Sequence, residues 1–263
     1  MKIVYLAAGT GNRMLPYTKD KPKCFLNIND KYTILSKFIY QTKNLKNLKS
    51  IILATGHKSF KFKSFIGKNI IQVNNRKYLS TNMLYTLHKC IKYLNEPFLI
   101  VYSDIIFSNK ILSKMVQCGI NKRDICVAVD KDWKKIWKFR YGKVNYDLES
   151  LKINKKNEIF EIGNKVNNYK NIDARYIGII SVPKEQIINF KEQLNNIYEK
   201  KMSRKEFRIK SNLYFTDFLN HLLSNKTKIK AVSFSNGWYE FDEVNDYRKF
   251  LRNNYESKVD LGV

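Results

Sequence analysis

The chain has 263 residues, 44% of them hydrophobic, which is enough for one sizeable core, and no apolar run reaches the length of a membrane span. The formal charge is +26, from 49 Lys and Arg against 23 Asp and Glu. The cations are spread through a lysine- and asparagine-rich chain (KNLKNLK, NKKNE, KVNNYKN), with no zinc-finger or RNP string beside them, so nucleic acid is not the expected partner.

In chain order, the apolar run Ile3–Leu6 predicts a buried strand, followed by the small-residue turn Ala7-Ala8-Gly9-Thr10-Gly11. Ile34–Lys46 predicts a helix with Leu35, Phe38, Ile39 and Thr42 on one face, and Ser50–Thr55 a strand. Phe60–Ile66 is short and ambiguous, and Ile70–Val73 predicts a strand. Thr81–Leu94 predicts a helix, with an apolar stripe of Leu84, Leu87, Cys90, Ile91 and Leu94. Phe98–Tyr102 and Ile125–Val129 read as strands around a short helix, Lys110–Gln117. This alternation implies a mostly parallel sheet with helices on both faces.

After Asp130 the rhythm changes. Leu148–Ile153 and Glu158–Ile162 read as strands around a Lys-Lys-Asn turn, and Tyr176–Val182 as another strand. Helices are expected over Lys184–Glu199, Phe215–Leu223 and Asn245–Asn254. Ala231–Phe234 and Trp238–Phe241 flank Asn236-Gly237, a strong hairpin signal.

The glycine turn is neither a P-loop, since no Gly-Lys-Ser/Thr follows, nor a dinucleotide fingerprint, whose third glycine is replaced by Met14. It stands in a longer string, L-A-A-G-x-G-x-R-x-x-P-x-T and then P-K, containing Arg13, Lys21 and Lys23. Small residues let backbone N–H groups approach a phosphate closely, and the cations follow its charge. A triphosphate site at the edge of the sheet is the expectation.

Asp104 follows the strand Phe98–Tyr102 and so falls at a carboxyl edge, where open α/β sheets place ligands. Its bland alternative is a turn or capping residue. Asp242 ends the alternating run Trp238-Tyr239-Glu240-Phe241, on the same face as Glu240, and could cap the next helix instead. Transfer between two anions needs charge neutralisation, for which Mg²⁺ on hard oxygen ligands is suited.

With these residues the chain resembles the nucleotidyltransferases that join a nucleoside triphosphate to a sugar phosphate or other small phosphate, releasing pyrophosphate. Gly237–Tyr247 (GWYEFDEVNDY) resembles the C-terminal signature of the branch that makes CDP-activated small molecules, and Asn75–Leu87 its N-x-x-Y-x-x-x-N-x-x-Y segment. Met83 departs from that branch, which has a second asparagine there, and Cys24-Phe25 fills a place usually held by small or aliphatic residues.

The resemblance implies a single nucleotidyltransferase domain over residues 1–263. Residues 1–130 would form a Rossmann-like nucleotide-binding core, and 131–263 a small β-rich, acceptor-side and metal-completing elaboration. It implies a nucleotide held by Leu6, Ala7, Ala8, Gly9, Thr10, Gly11, Thr81, Asn82 and Ser103, with Arg13 on the β- and γ-phosphates and Lys23 on the α-phosphate. Mg²⁺ would sit on Asp104 and Asp242. The expected activity is CTP-dependent cytidylyl transfer to phosphocholine, aminoethylphosphonate or phosphoglutamine, in capsule or cell-surface polysaccharide biosynthesis. A sugar-1-phosphate uridylyl- or thymidylyltransferase is the alternative enzyme; a non-catalytic nucleotide- or nucleic-acid-binding protein is the alternative of another class.

Segments resembling an acceptor side supply the remaining candidates: Trp133, Trp137, Arg140, Asp147, Glu149, Arg175, Tyr176 and Glu240. Trp133 and Trp137 share a helix face, either as ordinary packing or as an aromatic wall for a cationic head group. Asp132, Asp147 and Glu149 suit a primary amine, and Arg140 and Arg175 a phosphate or carboxylate. Four scattered cysteines without a CxxC, and three scattered histidines, suggest reduced thiols and no zinc site. The expected partners are CTP and a small phosphorylated acceptor in the cytoplasm, without nucleic acid or membrane span, and with a homodimer left open.

Overall fold

Alternating apolar residues in the first strand already divide the molecule into two layers. The structure is a computed structural model and describes residues 1–198 and 203–253. Its elements run β1 (Lys2–Ala7), α1 (Ile34–Thr42), β2 (Ser50–Thr55), β3 (Ile70–Asn74), α2 (Met83–Lys89), β4 (Phe98–Tyr102), β5 (Ile105–Phe107), α3 (Asn109–Asn121) and β6 (Ile125–Asp130). There follow α4 (Trp133–Tyr141), β7 (Glu149–Ile153), β8 (Ile159–Lys165), β9 (Arg175–Val182), α5 (Ile187–Tyr198), α6 (Arg204–Ser211), α7 (Phe215–Ser224), β10 (Ile229–Phe234), β11 (Trp238–Glu240) and α8 (Val244–Arg252).

The central sheet has 7 strands in the order β10-β6-β9-β4-β1-β2-β3. All its pairings are parallel except those of β9 with β4 and β6. This is the expected α/β fold with a mostly parallel sheet. Val4 and Leu6 of β1 face a layer that includes Leu84 and Leu87 of α2, Phe190 of α5 and Phe218 of α7. Ile3 and Tyr5 face the other, with Phe38 of α1, Met115 of α3 and Trp133 of α4. Burying both faces gives β1 its nearly unbroken apolar run.

Local chemistry sets several helix starts. Thr33 caps α1 in a capping box with Ser36, Ser108 caps α3, and Asn82 caps α2 through Met83 N–H. The expected helix over Thr81–Leu94 is thus shortened, with Thr81 and Asn82 ahead of it and a 3₁₀ turn at Ile91–Tyr93 behind. Of the expected helices Lys184–Glu199 and Asn245–Asn254, the end residues Glu199 and Asn254 lie outside the described residues. Phe60–Ile66 falls almost wholly within a 3₁₀ segment, Ser59–Phe65.

The hairpin expected at Asn236-Gly237 is corrected by the structure. Both residues have the left-handed backbone that such turns require, with φ of 65° and 81°. The flanking strands nevertheless pair elsewhere: β10 runs parallel to β6, and β11 antiparallel to β5. Asp130 holds this corner, accepting hydrogen bonds from Trp238 Nε1 at 2.9 Å and Asn236 N–H at 3.4 Å.

The β-rich elaboration is the antiparallel pair β7–β8, which closes the end of one core layer with Leu151, Ile159 and Ile162. A third apolar cluster decides the site. Met14, Leu26 and Ile28 from the loop after β1 pack with Ile106, Tyr239, Phe241, Tyr247 and Phe250. Arg13 is the neighbour of Met14 and Asp242 the neighbour of Phe241, so this cluster brings the loop after β1 against the segment that carries Asp242.

Candidate active site

At β1 the strand order reverses, with β2 on one side and β4 on the other. Such switch points leave a crevice beyond the strand ends. A pocket of about 330 Å³ occupies it, lined by Leu6, Ala7, Ala8, Gly9, Thr10 and Gly11 on one wall and by Thr81, Asn82 and Ser103 on others. These nine residues are the ones expected to hold a nucleotide. Arg13, Lys23 and Asp104 line the same pocket.

The two glycines have different reasons. Gly11 has φ of 68°, and a Cβ there would lie 3.1 Å from Thr18 Cγ2. Its carbonyl accepts from Thr18 Oγ1 at 2.8 Å and from Met14 N–H at 2.9 Å, which turns the chain into the segment bearing Arg13. At Gly9 a Cβ would meet nothing within 4 Å, and the backbone is not left-handed. Protein packing therefore gives no reason for glycine at that position.

Lys23 joins the carboxylates. Its Nζ lies 3.0 Å from Asp104 Oδ2 and 3.7 Å from Asp242 Oδ1, and Arg13 Nη2 lies 2.9 Å from the same Asp242 oxygen. Burial works against the Lys23 charge, but Asp104 and Asp242 outweigh it and hold the ammonium above its usual range. Asp242 shows the converse balance: burial pushes it up, and Lys23, Arg13 and Arg140 bring it below the usual carboxylate range. Asp104 Oδ1 is buried without a hydrogen-bond partner. Among the described residues no group of three or more His, Cys, Asp or Glu is arranged to hold a metal, so a cation here would draw on these two carboxylates.

The acceptor-side candidates divide. Trp133 and Trp137 are 0% and 2% exposed and pack edge-to-face in the core, so they are not an aromatic wall. Their spacing is helical as expected, but the shared face is the one α4 turns to the sheet. Arg140 is corrected too. Its side chain is 0% exposed and occupied by Glu240, Asp242 and Asp246, so it is closed to an acceptor phosphate. Glu240 is engaged by Arg140 at 2.6 Å, and burial together with Asp242 pushes its carboxyl up to about 7.

Asp147 is exposed, while Glu149, Arg175 and Tyr176 are half-buried. Arg175 stacks on Trp137 at 4.3 Å and donates to the Glu149 carbonyl at 3.4 Å. Tyr176 packs edge-on to Tyr102, a pocket residue, at 5.5 Å. Asp132 lies 3.5 Å from Lys135 on the outer surface of α4.

Sequence reasoning missed Tyr78, Thr86 and Tyr102 in the pocket wall. Tyr78 and Thr86 lie within Asn75–Leu87, whose signal was available in buried Asn75: its Nδ2 donates to Thr81 Oγ1 and Thr86 Oγ1, both at 2.9 Å. α6 also shapes this wall, because Asn82 N–H donates to the Ser211 carbonyl at 2.7 Å.

Residues 3–160 match the MobA-like NTP transferase domain family. CTP:phosphoglutamine cytidylyltransferase of Campylobacter jejuni subsp. jejuni serotype O:2 is 31% identical over 261 residues, covering 94% of this chain and 97% of that protein. D-glycero-alpha-D-manno-heptose 1-phosphate guanylyltransferase of the same organism is 25% identical over 258 residues, covering 97% and 100%. The solved CTP:phosphocholine cytidylyltransferase of Streptococcus pneumoniae shares the fold with a TM-score of 0.70 at 18% identity, covering 96% of this chain and 98% of that one.

Proposed function

The chain belongs to the MobA-like NTP transferase domain family, and from that premise we propose that it is a CTP-dependent cytidylyltransferase. It transfers CMP to a small amine-bearing phosphate or phosphonate and releases pyrophosphate. The observation that carries this reading is Lys23 set between Asp104 and Asp242 at the mouth of a pocket walled by small residues. The preference for CTP draws on the relative that is 31% identical and named for CTP and phosphoglutamine. A purely binding protein has no evident use for two carboxylates held on one lysine.

In this reading the acceptor's phosphate oxygen attacks the α-phosphorus as the bond to pyrophosphate breaks, with no covalent enzyme intermediate. Lys23 neutralises charge on the α-phosphate and the entering oxygen, and Arg13, whose side chain is 63% exposed, turns from Asp242 to the leaving pyrophosphate. Asp104 and Asp242 would hold Mg²⁺. The unpartnered Asp104 Oδ1 supports this fit, since Mg²⁺ takes one or two carboxylates and fills its remaining positions with water and substrate phosphates. When bound, Mg²⁺ supplies charge neutralisation between the two anions. Half-buried Arg175 and Glu149 would offer both signs of charge to an acceptor, which suits a zwitterion. The net charge of +26 steers anionic substrates inward.

Pyrophosphate release tests the reading, with CTP, UTP, dTTP and GTP each offered phosphocholine, aminoethylphosphonate, phosphoglutamine and hexose and heptose 1-phosphates. CTP with an amine-bearing acceptor is expected to turn over fastest. A sugar 1-phosphate with another nucleotide as the fastest pair would replace this reading with the sugar-nucleotide one, which the relative named for a heptose 1-phosphate favours.

Gly9→Ala gives a second test. With open space around the added methyl, folding stability is expected to change by less than about 0.5 kcal/mol. The methyl stands where the triphosphate must approach the backbone, so the KM for CTP should rise about 10-fold or more, as for overpacking worth about 1–3 kcal/mol. An unchanged KM in the folded variant would remove the phosphate cradle from Gly9.

A further inference from the structure

We propose that Arg140 and Asp246 are a positioning pair that fixes the carboxylate of Asp242, so that the inward face of helix α4 controls how well the site accepts a divalent cation. The inference rests on the metal role proposed above for Asp242.

Arg140 forks onto Asp246, with Nε 3.2 Å from Oδ1 and Nη2 3.0 Å from Oδ2. Its Nη1 reaches Glu240 Oε2 at 2.6 Å, and its Nη2 also lies 3.4 Å from Asp242 Oδ2. Asp246 completes the grip from the other side. Its Oδ2 accepts the backbone N–H groups of Asp242 and Glu243, each at 3.0 Å. Asp242 is thus held by its main chain through Asp246 and by one side-chain oxygen through Arg140. The other oxygen, Oδ1, is left to Arg13 and Lys23.

Arg140 is itself immobilised. Its guanidinium lies 5.1 Å from the Trp137 ring centroid and 4.8 Å from that of Tyr141, both on α4. Lys249 of α8 donates to the Phe139 and Arg140 carbonyls at 3.2 and 2.6 Å, pinning the end of α4 to the helix that follows Asp242. One fixed cation therefore organises three carboxylates. Without it Glu240, Asp242 and Asp246 would repel one another, and the direction of Asp242 Oδ1 would no longer be set. A lysine keeps the charge but cannot span Asp246 and Glu240 with a planar fork.

The test uses Arg140→Lys and Asp246→Asn in the full chain, each checked by circular dichroism. Mn²⁺ alone is titrated into the protein and free Mn²⁺ is followed by electron paramagnetic resonance; pyrophosphate release is then measured against Mg²⁺ concentration. Both variants are expected to weaken Mn²⁺ binding about 10-fold or more and to raise half-saturating Mg²⁺ in parallel, as for loss of an outer-shell partner. At saturating Mg²⁺, kcat is expected to return to within about threefold of the native enzyme, because such a loss acts on binding rather than on the transition state. Unchanged Mn²⁺ binding, or a fall in kcat that Mg²⁺ does not restore, overturns the inference while leaving the metal reading standing. Native protein that binds no Mn²⁺ overturns the metal reading and this inference with it. Recovery of both variants unfolded makes the pair a folding element and also overturns it.

Discussion

Replacing Lys23 with alanine is expected to lower kcat by at least ~10²-fold while leaving the fold intact, the scale seen when one preorganised electrostatic stabiliser is lost. The expectation follows from where the ammonium sits. It is only 15% exposed, 3.0 Å from Asp104 and 3.7 Å from Asp242, so its charge acts in a medium less screened than water. Nearby carboxylates hold it protonated despite burial, so the cation is ready when phosphate charge arrives. In the free protein Lys23 also sits on one oxygen of each carboxylate, Asp104 Oδ2 and Asp242 Oδ1, and so competes with a divalent cation for them. Its removal should therefore leave half-saturating Mg²⁺ unchanged or lower, even as turnover falls. Steady-state kinetics on the folded variant, with Mg²⁺ and CTP varied independently, separate the two effects. Near-native turnover would sink the role assigned to Lys23.

The pocket beyond β1 was legible from the chain because its signals are local. A buried strand, a small-residue turn and a carboxylate just beyond the next parallel strand are each written in a few consecutive residues. β1 and β4 pair side by side, so the turn after Ala7 and Asp104 after Tyr102 meet by the geometry of the sheet alone. Long-range pairing was not legible. Asn236 and Gly237 make the tight turn their chemistry predicts, yet β10 finds β6 and β11 finds β5, and the three-residue β5 was too short to be noticed. α6 was missed for a related reason. Ser211 is its only fully buried residue among those described, so it carries no apolar stripe.

The acceptor-side candidates were misread where burial decides the role. Helical spacing put Trp133 and Trp137 on one face, but spacing does not say which face turns inward. Arg140 looked like a free anion binder because Glu240, Asp242 and Asp246 lie about a hundred residues later in the chain. The fully buried guanidinium among them is a property of the folded molecule only.

Asp104→Ala separates function from stability most sharply. In the free protein two effects of this carboxylate oppose each other. Oδ2 accepts a charge-assisted hydrogen bond from Lys23 at 3.0 Å, a contact worth about 1.5–3 kcal/mol. Oδ1 is buried and unpaired, and a buried acceptor left unsatisfied destabilises by about 1–3 kcal/mol. Removing both should leave stability within about 1 kcal/mol of the native value, since the two terms are of similar size and opposite sign. Lys23 keeps Asp242 as a partner, so its charge is not stranded. Turnover, by contrast, should fall at least ~10²-fold, and half-saturating Mg²⁺ should rise, the reverse of the Lys23 variant. A residue whose loss lowers turnover about 10²-fold without changing stability is one kept for function rather than for the fold, as unpaired buried polar groups at functional sites are. Urea midpoints and Mg²⁺-dependent kinetics on the same preparation decide the matter. A loss of stability beyond about 3 kcal/mol, with activity tracking the folded fraction, would make Asp104 a structural residue and remove half of the proposed metal site.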